Sequence, residues 1–258
     1  MTQDSRDDGG VRLRVEGQVV TVTLDAPKRL NSQTPSTWRA LAAIGAELDS
    51  DIRVVVVRGE GRAFSAGLDR SLFAGDPEIV DGLGALATGS DADIVERIAT
   101  FQAGFSWLTD GRAISIAAVH GHAVGAGFQL ALACDLRVLT EDASLTMAET
   151  SLGLVPDLTG TWPLVRAVGY SRALEICATG RRVGAAEAVA MGLANAVVPA
   201  DQLAGAVQDL VAALLATPPE STAATKQLLL GAVDRTKTEQ RAAERLTQLP
   251  LLRRFAQR

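Results

Sequence analysis

Cysteine is scarce in this chain. Only Cys134 and Cys177 are present, both in apolar, helical-looking stretches, and their expected role is buried packing in a reducing compartment. Long hydrophobic runs are also missing: none reaches the roughly 18–20 residues that a membrane span requires. Basic charge is in deficit, with 25 Lys and Arg against 30 Asp and Glu and a net charge of −5. That balance leaves no electrostatic footprint for nucleic acid or an acidic membrane surface, although a local basic cluster can still hold a small polyanion. No His/Cys cluster has metal-ligand spacing, so no metal is expected. The acidic, polar start MTQDSRDDGG lacks the pattern of a signal or transit peptide. The expectation is a cytoplasmic protein with residues 1–10 disordered. Two catalytic signatures are absent as well. There is no Gly-x-Ser-x-Gly around Ser65 to suggest a serine hydrolase, and Gly125–Leu130 lacks the third glycine of a dinucleotide fingerprint.

What is present suits a globular protein. The 258 residues, 47% hydrophobic and 21% charged, are ample for a sizeable core. Gln18–Asp25 alternates with period two and predicts a half-buried strand. Thr34-Pro35 predicts a helix N-cap followed by proline at the first helical position, with Trp38, Leu41, Ala42 and Leu48 on one face. The continuous β-branched run Val54–Val57 predicts a strand covered on both faces. Further strand-like pieces at 115–119, 136–139, 145–147 and 196–198 alternate with helical segments, which argues for an α/β fold. Glycine and proline break the pattern between Leu72 and Asp93, the signature of a mobile binding loop or a surface insertion. Beyond Pro199 the chain becomes almost purely helical.

Two glycine-punctuated turns carry the strongest chemical signal. Phe64–Asp69 (FSAGLD) follows the strand-like run Ile52–Gly59, and Gly121–Gly127 (GHAVGAG) follows Ala113–His120. Each leads towards a segment able to start a helix, where backbone N–H groups lack internal partners and a partial positive charge gathers. Two such turns aimed at one point would hold a developing oxyanion.

Read in order, the motifs resemble those of the crotonase, or enoyl-CoA hydratase/isomerase, superfamily. They are Pro27-Lys28-Arg29-Leu30-Asn31, Ala66-Gly67-Leu68-Asp69, Gly125–Leu130 running into Ala133–Arg137, and Glu149 with Leu152–Asp157. Thr179-Gly180-Arg181 and Ala185–Ala188 complete the series. The resemblance covers Val19 to about Lys226. It implies a crotonase-type spiral of repeated ββα units over residues 11–198, with a C-terminal helical oligomerisation region over 199–258 that builds a homotrimer or a hexamer. It also implies an acyl-CoA thioester as substrate, with coenzyme A entering as part of the substrate and no separate cofactor.

By the same resemblance, the backbone N–H groups of Leu68 and Ala126 form the oxyanion hole. Glu149 is the general base and acid, its pKa raised by an apolar wall of Leu152 and Leu154. Asp157 is the second proton carrier, or alternatively a cap for the helix that follows. Lys28, Arg29, Ser65, Ala66 and Lys226 hold coenzyme A, with adenine over the backbone near Ser65 and Ala66 and Lys226 at the nucleotide phosphates. His120 and His122 are expected to pack or to bridge rather than to catalyse. The departure lies at Gln129, where hydratases carry a glutamate. An amide cannot shuttle a proton at ordinary pH, though it can orient water or substrate. The expected reaction is therefore a double-bond shift through a thioester enolate. Hydration of trans-2-enoyl-CoA is the alternative, and a catalytically weak acyl-CoA binder a second one.

Overall fold

The computed structural model describes residues 3–73 and 82–256. Strands β1 (Gln3–Asp8), β2 (Val11–Glu16) and β3 (Val19–Leu24) form an antiparallel meander. The backbone of residues 3–8, within the stretch expected to be disordered, pairs with β2. Gly9 and Gly10, at φ of 62° and 75°, make the two-residue turn that closes a hairpin, and backbone pairing needs no apolar side chains.

Helix α1 (Pro35–Ala46) begins at the predicted cap: the Thr34 hydroxyl accepts from the Thr37 N–H, Pro35 follows, and Trp38 and Leu41 are buried. Next come β4 (Val54–Gly59), the short α2 (Leu83–Ala87) and the long α3 (Asp91–Asp110). The glycine-rich connection is thus partly helical, while its residues 74–81 lie outside the described residues. The Trp38 ring of α1 stacks at a tilt on Phe101 of α3, with centroids 4.9 Å apart. The chain continues through β5 (Ile114–Val119), β6 (His122–Val124), α4 (Ala126–Ala133), β7 (Leu136–Thr140) and β8 (Ser144–Thr146). It then runs through α5 (Thr161–Val168), α6 (Tyr170–Thr179), β9 (Arg182–Gly184), α7 (Ala185–Ala190) and β10 (Ala196–Val198). Three helices close the chain: α8 (Leu203–Leu215), α9 (Pro219–Gly231) and α10 (Lys237–Phe255).

The main sheet has the order β1-β2-β3-β4-β5-β7-β10, parallel from β3 onward; a smaller sheet has the order β6-β8-β9. The run Val54–Val57 is buried throughout, as its lack of alternation predicts. Val55 and Val57 point into the main core with α1, α3 and α4, whereas Val54 and Val56 meet Val207, Leu210 and Leu214 of α8 on the other face. Of the C-terminal helices, α8 therefore belongs to the core. Helix α10 buries none of its residues in this chain and packs on α9.

Candidate active site

The two glycine turns lie side by side. The Ser65 N–H donates to the His122 carbonyl at 2.9 Å, and the Val124 N–H returns to the Ser65 carbonyl at 3.0 Å. Gly67 sits at φ +82°, and a Cβ there would run into the Val124 carbonyl oxygen and stand 3.4 Å from the Ala126 nitrogen. Only glycine allows both the torsion and the approach. Gly125, at φ 51° and ψ −119°, then starts α4 with Ala126 as its first residue. Among the described residues, neither the Leu68 nor the Ala126 N–H meets an acceptor within the chain. Two unpaired donors thus lie at adjoining turns, one at a helix N-terminus.

A web of buried polar groups fixes the first turn. Ser65 is fully buried; its hydroxyl donates to the Asn31 carbonyl at 2.7 Å and accepts from Gln33 Nε2 and the Gly67 N–H. Gln33 also accepts from the Trp38 indole at 2.8 Å, and its backbone brackets the turn through its N–H to Gly67 O and its carbonyl from Asp69 N–H. Sequence reasoning missed Gln33. Its only signal was a polar residue next to a helix cap, which is common on surfaces.

Glu149 follows β8 and brings its carboxyl to the N-terminal end of α4, where a Cβ on Gly125 would be 3.3 Å from Glu149 Oε1. Burial pushes the carboxyl above the usual glutamate range, hydrogen bonds pull it back in part, and the Asp157 charge raises it further. Oε1 accepts from Gln129 Nε2 at 2.6 Å. Oε2 is buried with no hydrogen-bond partner among the described residues, so one oxygen is held and the other is available. The expected wall of Leu152 and Leu154 is corrected, since these residues are 54% and 39% exposed. The carboxyl is desolvated instead by its position against α4.

Gln129 is wholly buried, and its Oε1 accepts from the N–H groups of Leu158 at 2.8 Å and Gly160 at 3.2 Å. Two backbone donors at one end and a carboxylate at the other fix which atom is oxygen and which is nitrogen. The amide is turned to Glu149 and to the loop 157–160, so both of its ends are engaged within the chain. Asp157 is half-buried on that loop, and burial raises its carboxyl. It is no helix cap: the N-cap of α5 is Gly160, without a side-chain bond. Gln102 of α3 anchors the loop by donating to the Asp157 carbonyl at 2.7 Å, another contact that sequence did not signal.

The proposed coenzyme A contacts divide. Lys28 and Arg29 are exposed on a 3-10 turn at Pro27–Arg29, and Ala66 is half-exposed beside the first turn. Arg29 also pairs with Asp69 at 2.6 Å. The Ser65 hydroxyl is engaged inside the protein, while the expected adenine contact there is to the backbone. Lys226 is corrected outright. Its side chain is 4% exposed, and its ammonium donates to Asp135 Oδ2 at 2.8 Å and to the carbonyls of Ala113 and Leu108. A lysine whose three donors are satisfied inside the core does not reach a phosphate; it pins α9 to the sheet. His120 Nε2 bonds the Gly61 carbonyl and His122 Nδ1 bonds the Ser144 hydroxyl, each at 2.8 Å, as bridging groups.

The geometry offers paired N–H donors for an oxyanion beside a buried carboxyl with one unengaged oxygen. The family model described as enoyl-CoA hydratase/isomerase matches residues 14–251. A crystal structure from Thermobifida fusca YX, of a protein provisionally called an enoyl-CoA hydratase and in complex with CoA, superposes with a TM-score of 0.91. The two are 47% identical, over 97% of this chain and 95% of that one. The (E)-benzylidenesuccinyl-CoA hydratase of Thauera aromatica is 31% identical over 84% of this chain and 80% of its own length. The carnitinyl-CoA dehydratase of Proteus mirabilis is 33% identical over 84% and 79%.

Proposed function

The chain belongs to the enoyl-CoA hydratase/isomerase family and has the crotonase fold; from that premise we propose that it hydrates a trans-2-enoyl-CoA thioester, with Glu149 as the proton carrier. The observation that carries this reading is the buried Glu149 Oε2 without a partner, beside two turns whose Leu68 and Ala126 N–H groups are unpaired. The names of the relatives, mostly hydratases, support hydration over the double-bond shift that the glutamine at 129 suggests.

In this scheme Oε2 of the ionised Glu149 accepts a proton from water as the water oxygen bonds to C3. The C2–C3 electron pair moves onto the thioester carbonyl, whose oxygen is held by Leu68 and Ala126. Glu149 then returns the proton to C2, leaving a 3-hydroxyacyl-CoA. Oxyanion donors of this kind are worth about 10²–10³ in rate each. Lys28, Arg29 and the backbone of Ala66 receive the nucleotide end of coenzyme A.

A second reading is favoured by one observation. Gln129 leaves the site without a second carboxyl beside Glu149, while the charge of Asp157 reaches Glu149. A 3-enoyl- or 3,5-dienoyl-CoA would then lose a proton to the ionised member of the pair and gain one at the more distant carbon from the protonated member, after which the two have exchanged protonation states. Spectrophotometric time courses on trans-2-enoyl-, 3-enoyl- and 3,5-dienoyl-CoA separate the readings. Loss of the 2-enoyl chromophore supports hydration, and formation of a conjugated product from the other two supports isomerisation. Silence on all three leaves an acyl-CoA-binding role. The bare apolar side chains of α10, Leu246, Leu249, Leu252 and Phe255, support assembly into a trimer or a hexamer, which sedimentation velocity measures.

A further inference from the structure

Asp69 follows the candidate oxyanion donor Leu68 directly and is the most heavily bonded acid in the chain's first turn. Its Oδ2 accepts from the Ser32 hydroxyl at 2.7 Å and from Arg29 Nη1 at 2.6 Å; its Oδ1 accepts from the Ser71 N–H at 3.0 Å and the Ser71 hydroxyl at 2.8 Å. The side chain is only 14% exposed. One oxygen therefore grips the segment before α1, and the other closes the backbone just after the turn.

The segment it grips is the one that orients the Leu68 amide. The peptide between Gly67 and Leu68 is planar, so its carbonyl and its N–H point in opposite directions. The carbonyl is fixed by the Gln33 N–H at 2.7 Å, and the next peptide is fixed by the Asp69 N–H on the Gln33 carbonyl at 2.8 Å. The direction of the Leu68 N–H thus depends on how Ser32–Gln33 lies against the turn. The Asp69 carboxylate is one side-chain link between the two, beside the Gln33–Ser65 pair and the Ser65 hydroxyl on the Asn31 carbonyl. Its carboxyl stays ionised well below the usual aspartate range because the hydroxyl and backbone donors favour the charged form.

We propose that Asp69 is a positioning residue that aims the Leu68 N–H at the thioester carbonyl. The proposal deepens the oxyanion reading given above and rests on it. A misplacement of about 1 Å in such a donor costs about 10²-fold in rate.

The direct test is the infrared C=O stretch of butyryl-CoA, 13C-labelled at the thioester carbon and bound to wild type, Asp69→Ala and Asp69→Asn. This saturated probe has no double bond to hydrate or shift, so its signal is independent of which of those reactions the enzyme catalyses. Wild type is expected to lower the stretch relative to free thioester. Asp69→Ala should lose most of that shift, and Asp69→Asn, which keeps one acceptor oxygen, should lose part. In turnover, kcat should fall roughly 10- to 100-fold in Asp69→Ala, with KM moving less than about threefold.

A full wild-type shift in folded Asp69→Ala overturns the proposal, whatever happens to stability. If that variant does not fold, Asp69→Asn and Ser71→Ala carry the test, and an unreduced shift in both overturns it equally. No shift in wild type would overturn the oxyanion reading itself. A wild-type shift without turnover on any enoyl-CoA would instead sink only the assigned reaction.

Discussion

Gln129 Nε2 donates to Glu149 Oε1 at 2.6 Å while Gln129 Oε1 takes the N–H groups of Leu158 and Gly160. One buried amide thus joins the candidate acid–base to the loop that carries Asp157. It also divides the labour between the two carboxyl oxygens, because Oε1 is held as an acceptor and only Oε2 is available to take or give a proton.

Replacing Gln129 by Glu would set a second carboxyl against the first at this distance. Two carboxyls so close share a proton, and one apparent pKa of the pair rises by about one unit or more. If ionised Glu149 is the active form, the rate falls as pH drops through its pKa. The acid limb of the kcat profile should therefore move to higher pH in Gln129→Glu. The hydration rate near pH 8 should not fall more than a few-fold, since the oxyanion donors are untouched. Stopped-time assays across pH 5–9 measure both.

Glu149→Gln should keep the bond from Gln129 and remove the proton carrier, so turnover should fall by about 10²–10⁴. The same variant should be more stable at neutral pH. A carboxyl whose folded pKa is raised contributes its stability below the unfolded value, near pH 4.3, and loses it as pH rises through the folded value. Glu149→Gln should therefore melt close to wild type near pH 4 and above it at pH 7. The variant exchanges the buried charge for a neutral amide, so the gain at pH 7 comes from the lost desolvation of the charge and is absent near pH 4. Scanning calorimetry at the two pH values reads the difference.

Much of this arrangement was legible in the sequence. The helix cap at Thr34, the doubly covered strand at Val54–Val57 and the strand at 196–198 follow from local patterns. So did the two glycine turns, because their torsions and close approaches leave a mark that only glycine supplies. What stayed hidden was the partner of each polar side chain. Nothing local distinguishes a lysine bound for solvent from Lys226, whose acceptors on Asp135, Ala113 and Leu108 lie some 90 or more positions away in sequence. The same holds for Gln102 and Gln33, whose meaning is set by the backbone they meet. Leu152 and Leu154 failed in the other direction, as apolar residues near an acid that do not cover it.

Lys226→Met gives a clean separation of roles. It leaves Asp135 buried without its cation, and breaking a buried pair in this way costs about 3–5 kcal/mol. The melting temperature should fall by several degrees. The Kd for coenzyme A, titrated calorimetrically at a temperature where the variant is folded, should stay within about twofold of wild type. A large loss of affinity would restore the lysine to the nucleotide site.

Gly67→Ala should be among the most damaging single changes. It forces a side chain into φ +82° and into the Val124 carbonyl, at a cost of about 1–3 kcal/mol for the torsion alone. Stability to urea should drop, and kcat should drop with it. Gly125→Ala has a softer neighbour in the Glu149 carboxyl, 3.3 Å away, yet it shares the positive φ. Its loss should be weighted toward kcat.

The most direct test of the central claim is deuterium exchange at C2 of butyryl-CoA in D2O, followed by proton NMR for wild type and Glu149→Gln. Enolate formation over the Leu68 and Ala126 donors, with Glu149 as the base, predicts that wild type exchanges the C2 protons over hours and that the variant does not, although it still binds the thioester. Exchange that survives in Glu149→Gln, or a wild-type enzyme that binds butyryl-CoA and leaves its C2 protons in place, would contradict the account.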